Sequence, residues 1–307
     1  MITYSQISSN KHKTWLLIFS FLVFIILLGW VFEMAYNNPG ILVFAVVFSV
    51  VSALFSYYYS DKITLAISKA QLVDRQTNQD LYRAVENLAI AGGLPTPKIY
   101  IINDPAPNAF ATGRDPKHAI VCVTSGLLQI MNKTELEGVI AHELSHVGNY
   151  DIRLSTIVVV LVGLITLLAD WFLRFSFFGG GRRSGGNNNS EGGQLQAIFM
   201  IVGIVLAVLS PVIAIIIQLT ISRKREYLAD ASGALLTRYP EGLASALEKL
   251  GQNQQPLAEA NKATAHLYIV NPLASSTGKS TGFFANLFNT HPPLEDRIKR
   301  LREMDIG

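Results

Sequence analysis

Four stretches of this chain carry almost no charge, and they set its plan. Thr14 to Phe32 has no charged residue, and neither has Met34 to Ser60. Leu154 to Ala169 is uncharged, and its apolar run continues past Asp170 to Leu173. Gly192 to Ser222 is uncharged throughout. A bilayer core takes about 20 apolar residues as helix, which the first, second and fourth stretches supply. The third is interrupted near its end by Asp170, so a long buried helix is its other reading. Asn37-Asn38-Pro39-Gly40 is a turn cluster, so the first two stretches predict a membrane hairpin. Trp15, Trp30 and Tyr57 to Tyr59 lie near the ends of these stretches, as aromatics do at membrane interfaces. Lys11 and Lys13 precede the first stretch, as in a signal peptide. The apolar run is too long for that, no small-x-small cleavage site follows, and a second span comes at once.

The remaining segments read as soluble. Residues 64–93 predict a helix, with Leu72, Val73, Leu81, Val85 and Leu88 in its stripe and Gly92-Gly93 at its end. Lys98 to Ile102, Asn108 to Thr112 and Ala119 to Thr124 predict three short strands. The last two are separated by the turn-like Gly113-Arg114-Asp115-Pro116. Thr134-Glu135-Leu136-Glu137 reads as a capping box, with Thr134 as N-cap and Glu137 at N3. Behind it Leu136, Val139, Ile140, Leu144 and Val147 recur at helical spacing. A small sheet therefore precedes a helix, and a sheet edge there is a natural place to bind an extended peptide. Residues 179–193 are a low-complexity Gly, Arg, Ser and Asn loop, and Leu294 to Met304 reads as a last helix. There is no internal repeat.

These boundaries give four parts. Residues 1–62 form an N-terminal transmembrane hairpin and 63–153 a first soluble part. Residues 154–221 form a second hairpin around the glycine-rich loop, and 222–307 a second soluble part. Composition fits this plan. Half of the 307 residues are hydrophobic and 15% are charged, against about 25% charged in an ordinary soluble domain. Lys62, Lys69 and Arg75 follow the second apolar stretch, and Arg223, Lys224 and Arg225 follow the fourth. The positive-inside rule then puts the amino terminus and both soluble parts in the cytoplasm. A single Cys122, in Ile120-Val121-Cys122-Val123, suits a reducing compartment and a buried strand. The net charge of +3, with no basic patch, argues against nucleic acid as a partner.

The chemistry sits in the helix after the predicted sheet. His142-Glu143-Leu144-Ser145-His146 reads H-E-x-x-H. Histidines four apart share a helical face and can reach one metal ion, with the glutamate placed to take a proton from water. A zinc finger would need cysteines, and the chain has one. A catalytic zinc needs a third protein ligand and an open position. The metzincin pattern is excluded, because Asn149 and Ile152 stand where its Gly and third His would be. Arg225-Glu226-Tyr227-Leu228-Ala229-Asp230 offers a carboxylate and, four residues on, an aspartate on the same face. Glu226 is then a candidate ligand, and Asp230 a candidate acceptor for the ring N–H of a ligand histidine. The competing reading is a solvated acidic face balanced by Arg223, Lys224 and Arg225. His12, His118 and His266 have no partner motif and read as structural or surface residues.

Together the two motifs resemble the HtpX family of bacterial membrane proteases, which is related to the eukaryotic CAAX prenyl endoproteases. Asn108-Ala109-Phe110-Ala111-Thr112-Gly113 and Thr290-His291-Pro292-Pro293-Leu294 fit the same pattern, and the resemblance covers nearly the whole chain. It implies a mainly α membrane protein with four transmembrane helices and a zincin-like α+β metalloprotease domain facing the cytoplasm. It implies a gluzincin-type endopeptidase of the inner membrane, with one Zn2+ per chain, that hydrolyses misfolded or damaged membrane proteins. The ligands it implies are His142, His146 and Glu226, with Glu143 as general base. Asn108 and His291 are implied near the zinc, in contact with substrate or transition state; a helix-entry histidine is the plainer reading of His291. Two rivals stand beside this. An intramembrane metalloprotease would place H-E-x-x-H in an apolar span, which Lys133, Glu135, Glu137, Asp151 and Arg153 oppose. A non-catalytic scaffold with a structural zinc would have no use for Glu143.

Overall fold

The computed structural model describes residues 2–178, 223–253, 255–258, 264–272 and 292–305. The first two apolar stretches form α1 (Ile2–Tyr36) and α2 (Pro39–Ile67), joined where Asn38 caps α2 by accepting from the Gly40 amide. Within them Ile7–Met34 and Gly40–Ile67 are each long and apolar enough to cross a membrane. Trp15, Phe19, Trp30, Phe44, Val47 and Leu54 are exposed on their outer surface. Helices with that much apolar surface turned outward are soluble only in lipid.

The predicted helix over 64–93 is divided, which corrects that expectation. After α2 the chain passes Lys69, in a left-handed conformation, into β1 (Gln71–Leu72), and α3 (Gln79–Ala91) begins only after a turn at Asp74–Thr77. The Val73 amide donates to the Ile99 carbonyl, so 71–73 has sheet partners that a lone stripe does not reveal. Leu81, Val85 and Leu88 are buried as the stripe requires.

Lys98–Ile102 forms β2, Ala109–Thr112 β3 and Ile120–Thr124 β4, close to their expected bounds. The sheet order is β1-β2-β4-β3, with β2 and β4 parallel and the outer pairs antiparallel. β4 is buried along its whole length because both faces are covered. Val121 and Val123 belong to the cluster that also holds Val139, Ile140 and Leu144, while Cys122 faces Phe110 and Tyr268 on the other side. A short helix α4 (Ser125–Ile130) leads to α5 (Lys133–Gly148), which carries the H-E-x-x-H motif.

The capping box of α5 is present two residues before its expected place. Asn132 is the N-cap and accepts from the Glu135 amide, while Glu135 accepts from the Asn132 amide. Both registers satisfy the local pattern. Glu135 is buried against Lys249 and Ser245, and that tertiary pairing selects the earlier one.

After α5 the chain bends by 81° at Asn149–Tyr150 and continues as α6 (Asp151–Phe178). Ile157 and Leu161 of α6 pack with Ile18, Phe21 and Ile25 of α1 and with Ala45 and Ala53 of α2. Then come α7 (Arg223–Thr237), α8 (Pro240–Gln252) and α9 (Leu294–Arg302). Leu243, Leu247 and Leu250 of α8 and Leu301 of α9 close the core around α5. Of the four expected transmembrane helices, two that are long and apolar enough to cross a membrane are present among the described residues, or three if the bent pair α5–α6 is one span. The apolar stretch Gly192 to Ser222 and the glycine-rich loop lie outside them.

Candidate metal centre

Helical spacing sets the first half of the site. His142 and His146 stand one turn apart on α5, with ring centroids 4.7 Å apart and planes at 89°. Their Nε2 atoms are 3.2 Å apart. α7 brings the third group. It lies close across α5 at Gly233, where an added Cβ would meet the His142 backbone nitrogen at 2.9 Å. That approach carries Glu226 to the histidines, with its Oε2 3.8 Å from His142 Nε2 and its Oε1 3.5 Å from His146 Nε2. The potential ligand atoms of His142, His146 and Glu226 all lie within 4.8 Å of one another. The resemblance therefore named the three groups that the fold brings together.

The far side of each ring meets a carboxylate. His146 Nδ1 donates to Asp151 Oδ2 at 3.0 Å. His142 Nδ1 is 3.0 Å from Asp230 Oδ1, a close contact that is not aligned as a hydrogen bond. In the neutral form that keeps its proton at Nδ1, beside the carboxylate, each ring turns its Nε2 lone pair inward. Two Nε2 lone pairs and a carboxylate then converge on one buried point. Three acceptors so close repel one another unless a cation lies between them, so the donor set fits a metal ion.

Burial and neighbours tune these groups. Burial works against a charged His146, but Asp151 and Glu226 outweigh it and raise its pKa to about 9. Burial lowers the pKa of His142 in spite of Asp230. Asp230 is also buried, yet Arg297 holds its carboxyl down at about 2. Arg297 Nε and Nη2 donate to Asp230 at 2.8 and 2.6 Å, and Nη1 lies 3.8 Å from Glu226 Oε2. Glu143 is 2% exposed, and burial raises its carboxyl to about 7 against the pull of His146. The amide of Ala111 on β3 lies within its reach.

The cleft is lined by Ala111, Glu143, Ser155, His266 and Leu267 together with the ligand groups. β3 is the edge of the sheet. Thr124 donates its amide to the Asn108 carbonyl, so by antiparallel alternation Ala109 and Ala111 turn their backbone groups outward. Ile269 already occupies the Ala109 carbonyl. Asn108 is buried and does not line the cleft. Its Nδ2 donates to the Val270 carbonyl at 2.8 Å, and its Oδ1 accepts from the amides of Ala109 and Val270. His291 lies outside the described residues. His266, read from sequence as structural or surface, is buried in the cleft wall with Nε2 3.2 Å from the Ser155 carbonyl. Sequence reasoning assigned neither Asp151, read there only as a charged flank, nor Arg297 to the site. Asp151 had one signal, its place just past the end of the motif helix.

The sequence profile described as Peptidase family M48 matches residues 75–305. A protein named Protease HtpX homolog from Dictyoglomus turgidum is 48% identical over 303 residues, covering 98% of this chain and 94% of its own length. One of the same name from Caldanaerobacter subterraneus subsp. tengcongensis is 46% identical and covers 99% and 98%. One from Streptococcus pneumoniae is 45% identical and covers 98% and 99%. Among solved structures, that of Ste24p from S. mikatae superposes with a TM-score of 0.50 over 97% of this chain and 67% of its own. At 21% identity that likeness is one of fold.

Proposed function

This chain belongs to Peptidase family M48 and is a metalloendopeptidase, and we propose that it is a zinc enzyme of the gluzincin type that cuts membrane proteins at the cytoplasmic face of a bacterial inner membrane. The observation that carries this reading is the convergence of His142, His146 and Glu226, with Glu143 buried beside them. These three residues would hold one Zn2+, whose Lewis acidity polarises a scissile carbonyl and acidifies water. Glu143 Oε takes a proton from the attacking water and returns it to the leaving amine. Asp230 and Asp151 keep the imidazoles turned Nε2-inward. The outward-facing edge of β3 at Ala111 receives the substrate as an added strand, in place of the contact its amide makes with Glu143. Asn108 acts on the substrate at one remove, by fastening Val270 beside that edge, where the Ala109 carbonyl holds Ile269. His291 is assigned a donor role toward the developing oxyanion.

The substrate class follows from position. α6 begins at Asp151, three residues into the chain after α5 ends, and packs its first turns against the membrane hairpin. The cleft therefore opens close to the bilayer, within reach of the loops of damaged membrane proteins. Between His146 and Glu226 the chain must return to the side it left. Residues 154–221 are accordingly assigned a second hairpin with an even number of crossings. The test uses detergent-purified full-length protein. Zinc content near one per chain, with casein cleavage that Glu143→Gln abolishes, is the expected result. Cleavage unaffected by zinc removal would refute it.

A further inference from the structure

Behind His146 a polar network runs out of the catalytic domain into the first membrane helix. Asn10 lies on α1 just before its apolar stretch, yet it is 1% exposed. Its Nδ2 donates to Asp151 Oδ1 at 2.7 Å and to the Asn149 carbonyl at 2.9 Å. Its Oδ1 accepts from Arg225 Nη1 at 2.9 Å, and that same Nη1 donates to Asp151 Oδ1 at 3.0 Å. Asp151 Oδ2 in turn accepts from His146 Nδ1. One amide thus ties together α1, the bend between α5 and α6, and the residue preceding Glu226 on α7.

The choice of side chain is specific. The site asks one residue to donate to a carboxylate and a carbonyl while accepting from a guanidinium. A carboxamide does all three; a carboxylate has no donor, an ammonium no acceptor, and a hydroxyl only one proton. Arg225 and Asp151 are both buried, so the groups around them must be satisfied for the ion pair to be tolerated. Asp151 presents one oxygen to the network and the other to His146. Whatever fixes the first fixes the second.

We propose that Asn10 is a positioning residue of the metal centre: from the first membrane helix it fixes the Asp151 carboxylate that orients His146. The seating of α1 against α6 and α7 then helps to set the geometry of a ligand on α5. The proposal rests on the reading of His146 as a zinc ligand, and its test separates the two.

Zinc affinity is measured by chelator competition on the full-length protein in detergent, with the melting temperature followed in zinc-loaded and zinc-stripped forms. Asn10→Ala is expected to weaken zinc about tenfold, the lower end of the range for residues that orient a ligand. The double variant Asn10→Ala/Asp151→Ala is expected to bind no more weakly than Asp151→Ala alone, because Asn10 acts through Asp151. Thr14→Val, one turn further along α1 and equally buried, should keep the parent affinity. A residue that merely stabilises α1 would lower both melting temperatures alike and leave zinc affinity unchanged, which would overturn the proposal. So would additive losses in the double variant. Should Asn10→Ala not fold, Asn10→Ser keeps one donor and one acceptor. A several-fold weakening is then expected, and parent-like affinity overturns the proposal. If the parent itself binds no zinc, the metal reading fails and takes the proposal with it. If the parent binds zinc and the Asn10 variants match it, only the proposal fails.

Discussion

At the scale of single residues, the site divides into groups that sequence spacing reveals and groups that only folding assembles. His142, Glu143 and His146 are legible because one helical turn joins them. Glu226 and Asp230 are legible as a pair for the same reason, though nothing local says that this pair meets the other. Arg297 is not legible at all. It lies 67 residues from Asp230 in sequence, inside a helix whose pattern reads only as amphipathic. Its presence changes what substitutions should do. Removing one partner of a buried ion pair costs about 3–5 kcal/mol, because the other charge stays buried and uncompensated. Asp230→Ala should therefore lower the thermal stability of the zinc-stripped protein as well as its zinc affinity. Glu226→Ala should affect zinc affinity far more than the stability of the stripped form. Calorimetry of stripped samples beside chelator titrations of both variants distinguishes these profiles. A stripped Asp230→Ala protein as stable as the parent would mean that Arg297 finds another anion. Glu143→Gln is isosteric and removes only the proton acceptor. It should reduce turnover by about 10²–10⁴-fold, with zinc content unchanged by metal analysis. Substantial proteolysis in a zinc-verified sample would remove Glu143 from the role of base.

At the scale of elements, the strands and the motif helix were readable because their apolar periods are strong and local. The misreadings occurred where a tertiary partner decides. The start of α5 has two admissible capping registers, and the pairing of Glu135 with Lys249 and Ser245 chooses between them. The stretch 71–73 has an apolar pattern compatible with helix, but β2 offers it a sheet edge. The crossing of α5 and α7 was invisible because a glycine carries no pattern, yet Gly233 sets how near Glu226 comes to the histidines. Gly233→Ala would place a Cβ 2.9 Å from the His142 nitrogen, so the helices must part. Overpacking of this kind costs about 1–3 kcal/mol. Weaker zinc binding should accompany the lower melting temperature, and undiminished zinc affinity would show that the crossing does not set the ligand distance. Glu135 supplies a prediction in pH. Burial disfavours its charge, but the Lys249, Asn132 and Ser245 hydrogen bonds outweigh this and depress its pKa in the folded chain. A depressed folded value stabilises the protein above the unfolded value of about 4.3 and loses that contribution as pH falls through the folded value. Glu135→Gln should thus be less stable than the parent at pH 7, with the gap narrowing below about pH 4 in denaturant titrations. A gap that is constant with pH would assign the loss to the cap geometry alone.

At the scale of the whole molecule, the catalytic parts on either side of residues 154–221 must end on one side of the membrane. The ligand atoms of His146 and Glu226 lie within 4.8 Å, so the intervening chain crosses the bilayer an even number of times. Gly192 to Ser222 is long enough to span by itself, and α6 starts against the first membrane hairpin. We propose two crossings, which satisfy both facts and would put residues 179–193 on the side opposite the active site. Two terms oppose this. Asp170 costs about 2.5–3.5 kcal/mol if it sits deep in the core and less near the interface. Arg174, Arg182 and Arg183 favour the cytoplasm. The proposal weighs the apolar stretches more heavily, since burying some 20 hydrophobic side chains in lipid would exceed a few kcal/mol of interfacial bias. Zero crossings, with both stretches folded onto the cytoplasmic domain, is the competing arrangement, and it would leave a long apolar surface in water. A cysteine at Ser184 separates the two. The native Cys122 can stay in place, because it is fully buried in β4 and burial pushes its thiol well above the usual range, which suppresses the reactive thiolate. In cells with a permeabilised outer envelope and an intact inner membrane, Ser184→Cys should react with a membrane-impermeant maleimide. Labelling that appears only after the inner membrane is broken would give zero crossings, and the zinc-site geometry would stand unchanged.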